Sequence, residues 1–290
     1  MFPGELALLQ QLQHLRNGFL NNMFEFITIL GEDVLLVLLI ISLWFAYDKH
    51  LARKIFFITV VSLSINSIIK NFLRIPRPFS TGKITCVRPD TATGYSFPSG
   101  HTQNFATWSS TLAIAFKKKW FSILINILIF TVAFSRLFLG AHYPSDVICG
   151  GLLGIILAHA GNALCDKVIN KKRMYLITLG LLTPFTVIFL LFKDPLFEDF
   201  YKFYGILAGL FAAVAFEEKY APISYEVSWQ KKIIRIITGT FLALIIEKGI
   251  DLSSIISSLE IYLIADTIKH ILLVFMVFGL CPLVFKKLKL

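Results

Sequence analysis

Residues 34–41 read VLLVLLII, an unbroken apolar run inside a longer, mostly apolar stretch that covers residues 23–47. Such a run is typical of a membrane-spanning helix, which needs about 20 mostly apolar residues. A barrel strand would alternate apolar and polar residues instead. Comparable stretches recur along the chain, so the sequence predicts an all-α integral membrane protein. The nine predicted spans cover 23–47, 51–73, 97–116, 119–139, 145–165, 174–192, 200–216, 232–250 and 261–285.

The composition agrees with a multi-pass membrane protein. Hydrophobic residues make up 56% of the chain and charged residues 16%, whereas a soluble domain carries about 25% charged residues. The net charge of +10 would suggest nucleic-acid binding in a soluble protein, but here the basic residues concentrate in alternate loops. Such loops are typically cytoplasmic, which predicts an outside N-terminus, a cytoplasmic C-terminus and no nucleic-acid partner. The basic segments are 48–54, 117–119, 167–173, 219–235 and 286–289.

Residues 1–22 precede the first predicted span and carry a short apolar pattern. Leu8, Leu12, Leu15 and Phe19 recur at helical spacing, which predicts an amphipathic helix lying on the membrane surface. Because the pattern is short, a solvated lead-in is the alternative interpretation.

One outer loop breaks the charge rule, because a basic cluster from Arg74 to Arg88 follows the second span. Polar motifs lie beside this cluster and at the outer ends of the following spans. They are Lys70 with Arg77-Pro78; Pro98-Ser99-Gly100-His101; and Ser135-Arg136 with His142 and Asp146. The predicted topology brings all three motifs to one membrane face, on consecutive helix ends.

The cations of these motifs indicate a site for an anion. Lys70, Arg77 and Arg136 would repel one another at one depth unless an anion lay between them. The paired N–H donors of an arginine guanidinium match the oxygens of a phosphate. The backbone N–H groups of Ser99 and Gly100 precede an apolar helix, and the N-terminus of a helix favours an anion. A phosphoryl group is the predicted ligand.

The two histidines and the aspartate predict catalysis at that site. A histidine can act as nucleophile or as general acid near neutral pH, and Asp146 follows His142 at the spacing that lets it orient the ring. We expect His142 to attack phosphorus while His101 protonates the leaving oxygen and later activates water. The three cations would stabilise the developing charge. No carboxylate-rich cluster lies beside the motifs and the cysteines lack metal-type spacing, so no metal and no cofactor is expected.

Four further polar residues are candidates for the pocket wall. Glu32 and Asp33 lie in the first span, where acidic groups are costly and often functional; a position at the membrane interface is the alternative. Asn66 and Gln103 lie near Lys70 and His101 along the chain. For these two, an interhelical hydrogen bond is the alternative interpretation.

The three motifs resemble the signature of the type 2 phosphatidic acid phosphatase (PAP2) superfamily. The sequence matches Lys-x6-Arg-Pro, Pro-Ser-Gly-His and Ser-Arg-x5-His-x3-Asp at every position. The resemblance implies a six-helix core over residues 23–192, with accessory transmembrane helices over 193–290. The nine-span layout also resembles glucose-6-phosphatase and sphingosine-phosphate phosphatases. The implied roles are nucleophile for His142, acid–base for His101, orienting group for Asp146, and phosphate contacts from Lys70, Arg77, Ser99, Gly100, His101 and Arg136.

The expected activity is metal-independent hydrolysis of a lipid phosphate monoester or diphosphate at the extracytoplasmic face, through a phosphohistidine. The expected partner is a membrane lipid substrate, such as an isoprenyl diphosphate or a phosphatidate. Two alternatives stay open: a lipid phosphotransferase that uses the same phosphohistidine, and a non-catalytic protein that binds or transports lipid phosphates. The sequence makes no prediction of oligomeric state.

Overall fold

The structure, a computed structural model, describes residues 4–192, 194–249, 252 and 254–290. All regular structure in these residues is helical, and they contain no β-strand. Three sequence-based predictions reach beyond them. Residues 1–3 of the amphipathic segment, the domain boundary at 193 and the end of the eighth span at 250 lie outside the described residues.

Twelve α-helical segments occur in the described chain. They are α1 (Glu5–His14), α2 (Gly18–Thr28), α3 (Asp33–Ser42), α4 (Lys49–Leu73), α5 (Gly100–Phe116), α6 (Lys119–Phe138), α7 (Pro144–Lys167), α8 (Lys171–Phe192), α9 (Glu198–Tyr220), α10 (Trp229–Gly249), α11 (Leu259–Phe275) and α12 (Cys281–Lys287). Short 3-10 turns follow α2 and α4, and π-helical turns follow α3 and α11.

Six of the helical segments are long and apolar enough to cross a membrane. They are Lys49–Thr81, Lys119–Phe138, Pro144–Lys167, Lys171–Phe192, Pro195–Tyr220 and Leu259–Lys287. Helices α5 and α10 occupy the third and eighth predicted spans but fall outside this set. Helix α5 has only 17 residues, many of them buried and polar, and α10 carries charged residues near both ends. The chain is therefore a multi-pass membrane protein, and the count of nine spans stays a prediction.

The first predicted span is not one straight helix. Its two parts, Gly18–Gly31 and Asp33–Tyr47, meet at an angle of 47°, and the pair would count as a seventh span. Between them Glu32 adopts an extended conformation. A Cβ atom on Gly31 would lie 2.8 Å from the carbonyl oxygen of His101, so the chain at the bend approaches the start of α5 closely.

One compact unit consists of the described residues of Met1–Leu36 together with Ile65–Leu164. In it, Leu9 of α1 packs on Ile84 and Tyr143. Helix α2 packs against α6 through a cluster of Phe24, Phe138 and Leu139. All the signature motifs lie in this unit.

Helices α5 and α7 of this unit approach each other closely at two glycines. A Cβ atom on Gly150 would lie 2.7 Å from the carbonyl oxygen of Ser99, and one on Gly154 would lie 2.7 Å from the Cβ atom of Ala106. Small residues one turn apart allow such close packing of membrane helices. The packing fixes the start of α5 against the first turns of α7.

Substitution of Gly150 by alanine is expected to destabilise this packing. The new methyl group would meet backbone, which cannot move aside as a side chain can, so we expect the apparent melting temperature in detergent to fall by about 3–8 °C. Gly151→Ala is the matched control, because its Cβ atom would make an ordinary contact at 3.5 Å with Thr102. Equal shifts for the two variants would contradict the close packing at Gly150.

The second compact unit consists of Val37–Ser64 and Cys165–Leu290. Glu217, which is fully buried, forms ion pairs with Lys49 at 2.9 Å and with Arg53. Aromatic side chains pack around the start of α9, where the rings of Phe189 and Phe197 stack at 4.3 Å.

Candidate active site

The signature residues converge on the ends of consecutive helices in the first unit. Lys70 lies in the last turn of α4, and Arg77 precedes the 3-10 turn Pro78–Thr81. Ser99 caps α5, which begins with Gly100 and His101. Arg136 lies in the last turn of α6, and His142 and Asp146 flank the start of α7.

His142 and Asp146 form a buried pair. The Nδ1 atom of His142 lies 3.2 Å from Oδ2 of Asp146, and both side chains are 1% exposed. The same Oδ2 atom accepts hydrogen bonds from the Ser96 hydroxyl at 2.5 Å and from the Tyr143 backbone N–H at 2.8 Å. Because the carboxylate oxygen is an acceptor, it accepts a hydrogen bond from an Nδ1 atom that carries a proton. The tautomer of the His142 imidazole is thus assigned from its hydrogen-bond partners.

The other ring nitrogen of His142 carries the lone pair in that tautomer. Nε2 lies 3.0 Å from Nη1 of Arg77, so it accepts a hydrogen bond from the guanidinium. Burial, followed by the positive charges of Arg77, Arg136 and Lys70, keeps the pKa of His142 well below its ordinary value of 6.5. The imidazole is therefore neutral at neutral pH, and its lone pair points to the cation that would hold a phosphate.

Backbone carbonyl groups hold the guanidinium of Arg77 in this position. Its Nε donates to the Gly94 oxygen at 2.9 Å, Nη1 to the Ala141 oxygen at 3.1 Å, and Nη2 to the Thr93 oxygen at 2.5 Å. The loop that precedes α5 and Ala141, which precedes α7, therefore fix the direction of this side chain.

Arg136 is a fully buried cation with few partners. Nη1 donates to the Thr28 hydroxyl at 2.9 Å, and Nη2 lies 3.5 Å from the Thr91 carbonyl oxygen. In the described part of the chain its Nε atom has no hydrogen-bond partner and no carboxylate forms an ion pair with it. A buried charge without a counter-ion is costly, which favours an anion as its partner.

The start of α5 completes the basic pocket. A Cβ atom on Gly100 would lie 3.7 Å from Lys70 Nζ, so this ammonium lies at the N-terminus of the helix. Among the described residues, the buried Nε2 atom of His101 has no hydrogen-bond partner. A helix N-terminus beside an ammonium group suits an oxyanion, and His101 can exchange a proton with it.

The candidate pocket residues have partners inside the protein. The side-chain amide of Asn66 donates to Gln103 Oε1 at 2.7 Å and to the Pro98 oxygen at 3.3 Å. Asn66 and Gln103 therefore support the start of α5. Asp33 accepts from Asn104 at 3.3 Å. Glu32 forms an ion pair with Arg88 at 2.8 Å. None of the described residues forms a group of three or more His, Cys, Asp or Glu side chains that could hold a metal ion.

Two family models match the chain. The model for the PAP2 superfamily matches residues 51–168, and the model for the PAP2 superfamily phosphatase transmembrane extension matches residues 201–290. The chain belongs to the PAP2 superfamily. The first match contains all three motifs described above.

Curated PAP2-type relatives carry the names of lipid phosphatases. The chain is 41% identical over 61 residues to lipid A 4'-phosphatase of Bacteroides thetaiotaomicron, which is 21% of this chain and 27% of that protein. It is 30% identical over 136 residues to undecaprenyl-diphosphatase of Sulfolobus acidocaldarius, 47% of this chain and 66% of that protein. It is 28% identical over 168 residues to a probable sphingosine-1-phosphate phosphatase of Dictyostelium discoideum, 53% of this chain and 41% of that protein. The matches thus span less than two thirds of each relative.

A solved structure shows the same fold. The transmembrane PAP2 type phosphatidylglycerolphosphate phosphatase from Bacillus subtilis superposes with a TM-score of 0.50 at 22% identity, covering 57% of this chain and 86% of that chain. The likeness establishes a PAP2-like helical arrangement in the superposed part.

Sequence reasoning missed several residues that hold the PAP2 motifs in place. Ser96 is fully buried and bonds Asp146, and the buried Thr28 bonds Arg136. Glu5 of α1 accepts a 2.7 Å hydrogen bond from the backbone N–H of Ser145, next to Asp146. Only Ser96 had a sequence signal, since it lies two residues before the Pro-Ser-Gly-His motif.

Proposed function

We propose that this PAP2 protein hydrolyses a membrane lipid phosphate monoester or diphosphate, without a metal, through a phosphohistidine at His142. The observation that carries the proposal is the state of the His142 ring. Nδ1 is held by Asp146, and the Nε2 lone pair lies in a pocket lined with cations. A neutral, oriented imidazole beside a phosphate site is an activated nucleophile.

The proposed reaction has two displacements at phosphorus. The bound phosphoryl group takes the place of His142 at the Arg77 guanidinium, and Nε2 then forms the P–N bond as the bond to the leaving oxygen breaks. His101 enters this step as the imidazolium, gives its proton to that oxygen and becomes neutral. Asp146 stabilises the positive charge of the phosphorylated imidazole, as the third member of a triad does.

The second displacement restores the enzyme. His101 accepts a proton from water, the water oxygen attacks phosphorus, and the P–N bond breaks to leave neutral His142 and inorganic phosphate. Lys70, Arg77, Arg136 and the backbone N–H group of Gly100 would hold the equatorial oxygens, whereas the backbone N–H of Ser99 donates to the Asp146 carbonyl oxygen at 3.0 Å. Their charge would stabilise the transition state in both steps.

We also propose the topology that the basic loops predict. Nine spans with an outside N-terminus and a cytoplasmic C-terminus would place the site at the extracytoplasmic face, with residues 1–22 at the interface, 23–192 as the catalytic core and 193–290 as accessory helices. A lipid is the favoured substrate because its tail can stay in the bilayer while the headgroup reaches the pocket. The lipid phosphatase names of the relatives support the same class.

The proposal is tested by phosphate release from purified protein in detergent with a chelator present. The panel contains an isoprenyl diphosphate, phosphatidate, phosphatidylglycerol phosphate and sphingosine phosphate. We expect chelator-resistant release from at least one lipid. Release that requires a divalent metal would contradict the mechanism. Phosphoryl transfer to an added alcohol without free phosphate would indicate a phosphotransferase, and binding without turnover would indicate a binding protein.

The acid limb of the pH profile provides a separate prediction. Protonation of His142 removes the Nε2 lone pair, and a lowered pKa moves that loss to lower pH. We therefore expect kcat/KM, which reports the free enzyme, to begin falling only below pH 6.5. The profile must be corrected for the substrate, whose second phosphate pKa is about 6. A corrected acid limb centred at or above pH 6.5 would contradict a neutral, buried nucleophile.

A further inference from the structure

An ion pair lies beside the phosphate pocket, and the reaction described above does not use it. Glu32 Oε1 accepts a hydrogen bond from Arg88 Nη1 at 2.8 Å. Glu32 comes from the bend between α2 and α3, and Arg88 precedes the turn Pro89–Thr91. The side chains are 22% and 25% exposed, whereas those of His142 and Arg136 are almost completely buried. The pair is therefore more accessible than His142 and Arg136.

Both members of the pair are connected to the pocket through neighbouring residues. Gly31, next to Glu32, approaches the His101 carbonyl group closely. The Thr91 hydroxyl donates to the Arg88 carbonyl oxygen at 3.2 Å, and the Thr91 carbonyl oxygen faces Arg136. Both members of the pair therefore belong to segments that contact the pocket residues His101 and Arg136.

The donors of Arg88 suit a second oxyanion. A guanidinium has five N–H donors with two usable edges, and in the described part of the chain the Arg88 side chain donates one hydrogen bond, to Glu32. Lys70, Arg77 and Arg136 already provide three cations for the phosphate that reacts. A fourth cation next to them makes the local potential attractive to a second negative group.

We propose that Arg88 binds the second phosphoryl group of a diphosphate headgroup, and that Glu32 acts as the counter-ion of this arginine until the substrate arrives. The inference rests on the proposed function and names its substrate class. The terminal phosphoryl group is transferred to His142 as the bridging P–O bond breaks. The other phosphoryl group stays on the lipid, bound by Arg88, until the lipid monophosphate dissociates. Arg88 is then a specificity-determining residue, because a monophosphate substrate lacks the group that it binds.

The test compares two substrates that differ in one phosphoryl group, an isoprenyl diphosphate and the isoprenyl monophosphate of the same chain length. A hydrogen-bonded charge contributes enough that Arg88→Gln should lower kcat/KM for the diphosphate by about 10- to 100-fold. The monophosphate should lose less than about threefold, as expected for a nearby charge that makes no contact. Glu32→Gln should raise kcat/KM for the diphosphate, because it removes the competing carboxylate. Lys83→Gln, an exposed change in the same loop, should alter neither substrate.

Several outcomes would overturn the proposal. Equal losses on the two substrates in Arg88→Gln would assign that residue a structural or general electrostatic role. No gain on the diphosphate in Glu32→Gln would contradict the role of Glu32 as the competing counter-ion of Arg88. If the wild-type protein hydrolyses the monophosphate but not the diphosphate, the inference fails while the proposed function stands. If His142→Ala leaves the hydrolysis of both substrates intact, the proposed function itself fails.

Discussion

Replacement of His142 by alanine is expected to abolish phosphate release, with kcat lower by at least about 10⁴-fold, as for other residues that act as a catalytic unit. The reason is that Nε2 of His142 is the proposed nucleophile and lies 3.0 Å from Nη1 of Arg77, at the cation that would hold the phosphate. The measurement is the initial rate of phosphate release in detergent for the best lipid of the panel.

His159→Ala is the matched control for this prediction. His159 is an exposed histidine on the same helix, α7, so its replacement should leave the rate and the melting temperature close to those of the wild type. If His142→Ala kept more than about a tenth of the wild-type rate, a difference too small for loss of a nucleophile, water would have to attack the substrate directly.

Asp146→Asn should cause the second largest loss, about 10²- to 10⁴-fold in kcat. The amide has almost the same shape as the carboxylate, but it can present N–H to Nδ1 of His142 and so favour the tautomer that has no lone pair on Nε2. It also removes the charge that would stabilise the phosphorylated imidazole. KM should change much less than kcat, because Asp146 does not contact the phosphate in the proposed reaction.

Ser96→Ala is the variant with which the loss of activity in Asp146→Asn is compared. It removes one of the donors to Asp146 Oδ2 but leaves the His142 and Tyr143 contacts in place, so we expect a loss of about tenfold. If Asp146→Asn lost no more activity than Ser96→Ala, the carboxylate would serve only to hold the loop, and its proposed role in setting the tautomer would be wrong.

The helical membrane fold and the grouping of the motifs could be predicted because they depend on local patterns. Apolar runs indicate membrane helices wherever they occur, and motif residues at helix ends on one face must lie close together. The bend at Glu32 could not be predicted in this way, because it depends on the approach of Gly31 to His101, 70 residues later. The two compact units are each built from separate stretches of the chain, which a left-to-right division into domains does not anticipate.

The supporting contacts of the site could not be predicted from the sequence either, because they join residues that are far apart along the chain. Thr28 and Arg136 are 108 residues apart, and Glu5 and Ser145 are 140 apart. The N-terminal segment illustrates the limit of periodicity. Leu8, Leu15 and Phe19 of the predicted stripe are exposed, while Leu12 packs with the buried Leu9 against the loop next to His142. The pattern predicted one helix over Leu8 to Phe19, whereas the structure has two helices, α1 and α2, with residues 15–17 between them.

Chemical trapping of the phosphorylated enzyme tests the central claim most directly. Wild-type protein and His101→Ala, which should lose the phosphoryl group more slowly, are mixed with excess substrate, quenched rapidly in alkaline detergent and digested for mass spectrometry. We predict one acid-labile, alkali-stable phosphoryl group, on His142, that is missing in His142→Ala. A phosphoryl group on any other residue, or none in either protein while phosphate is released, would contradict the phosphohistidine mechanism.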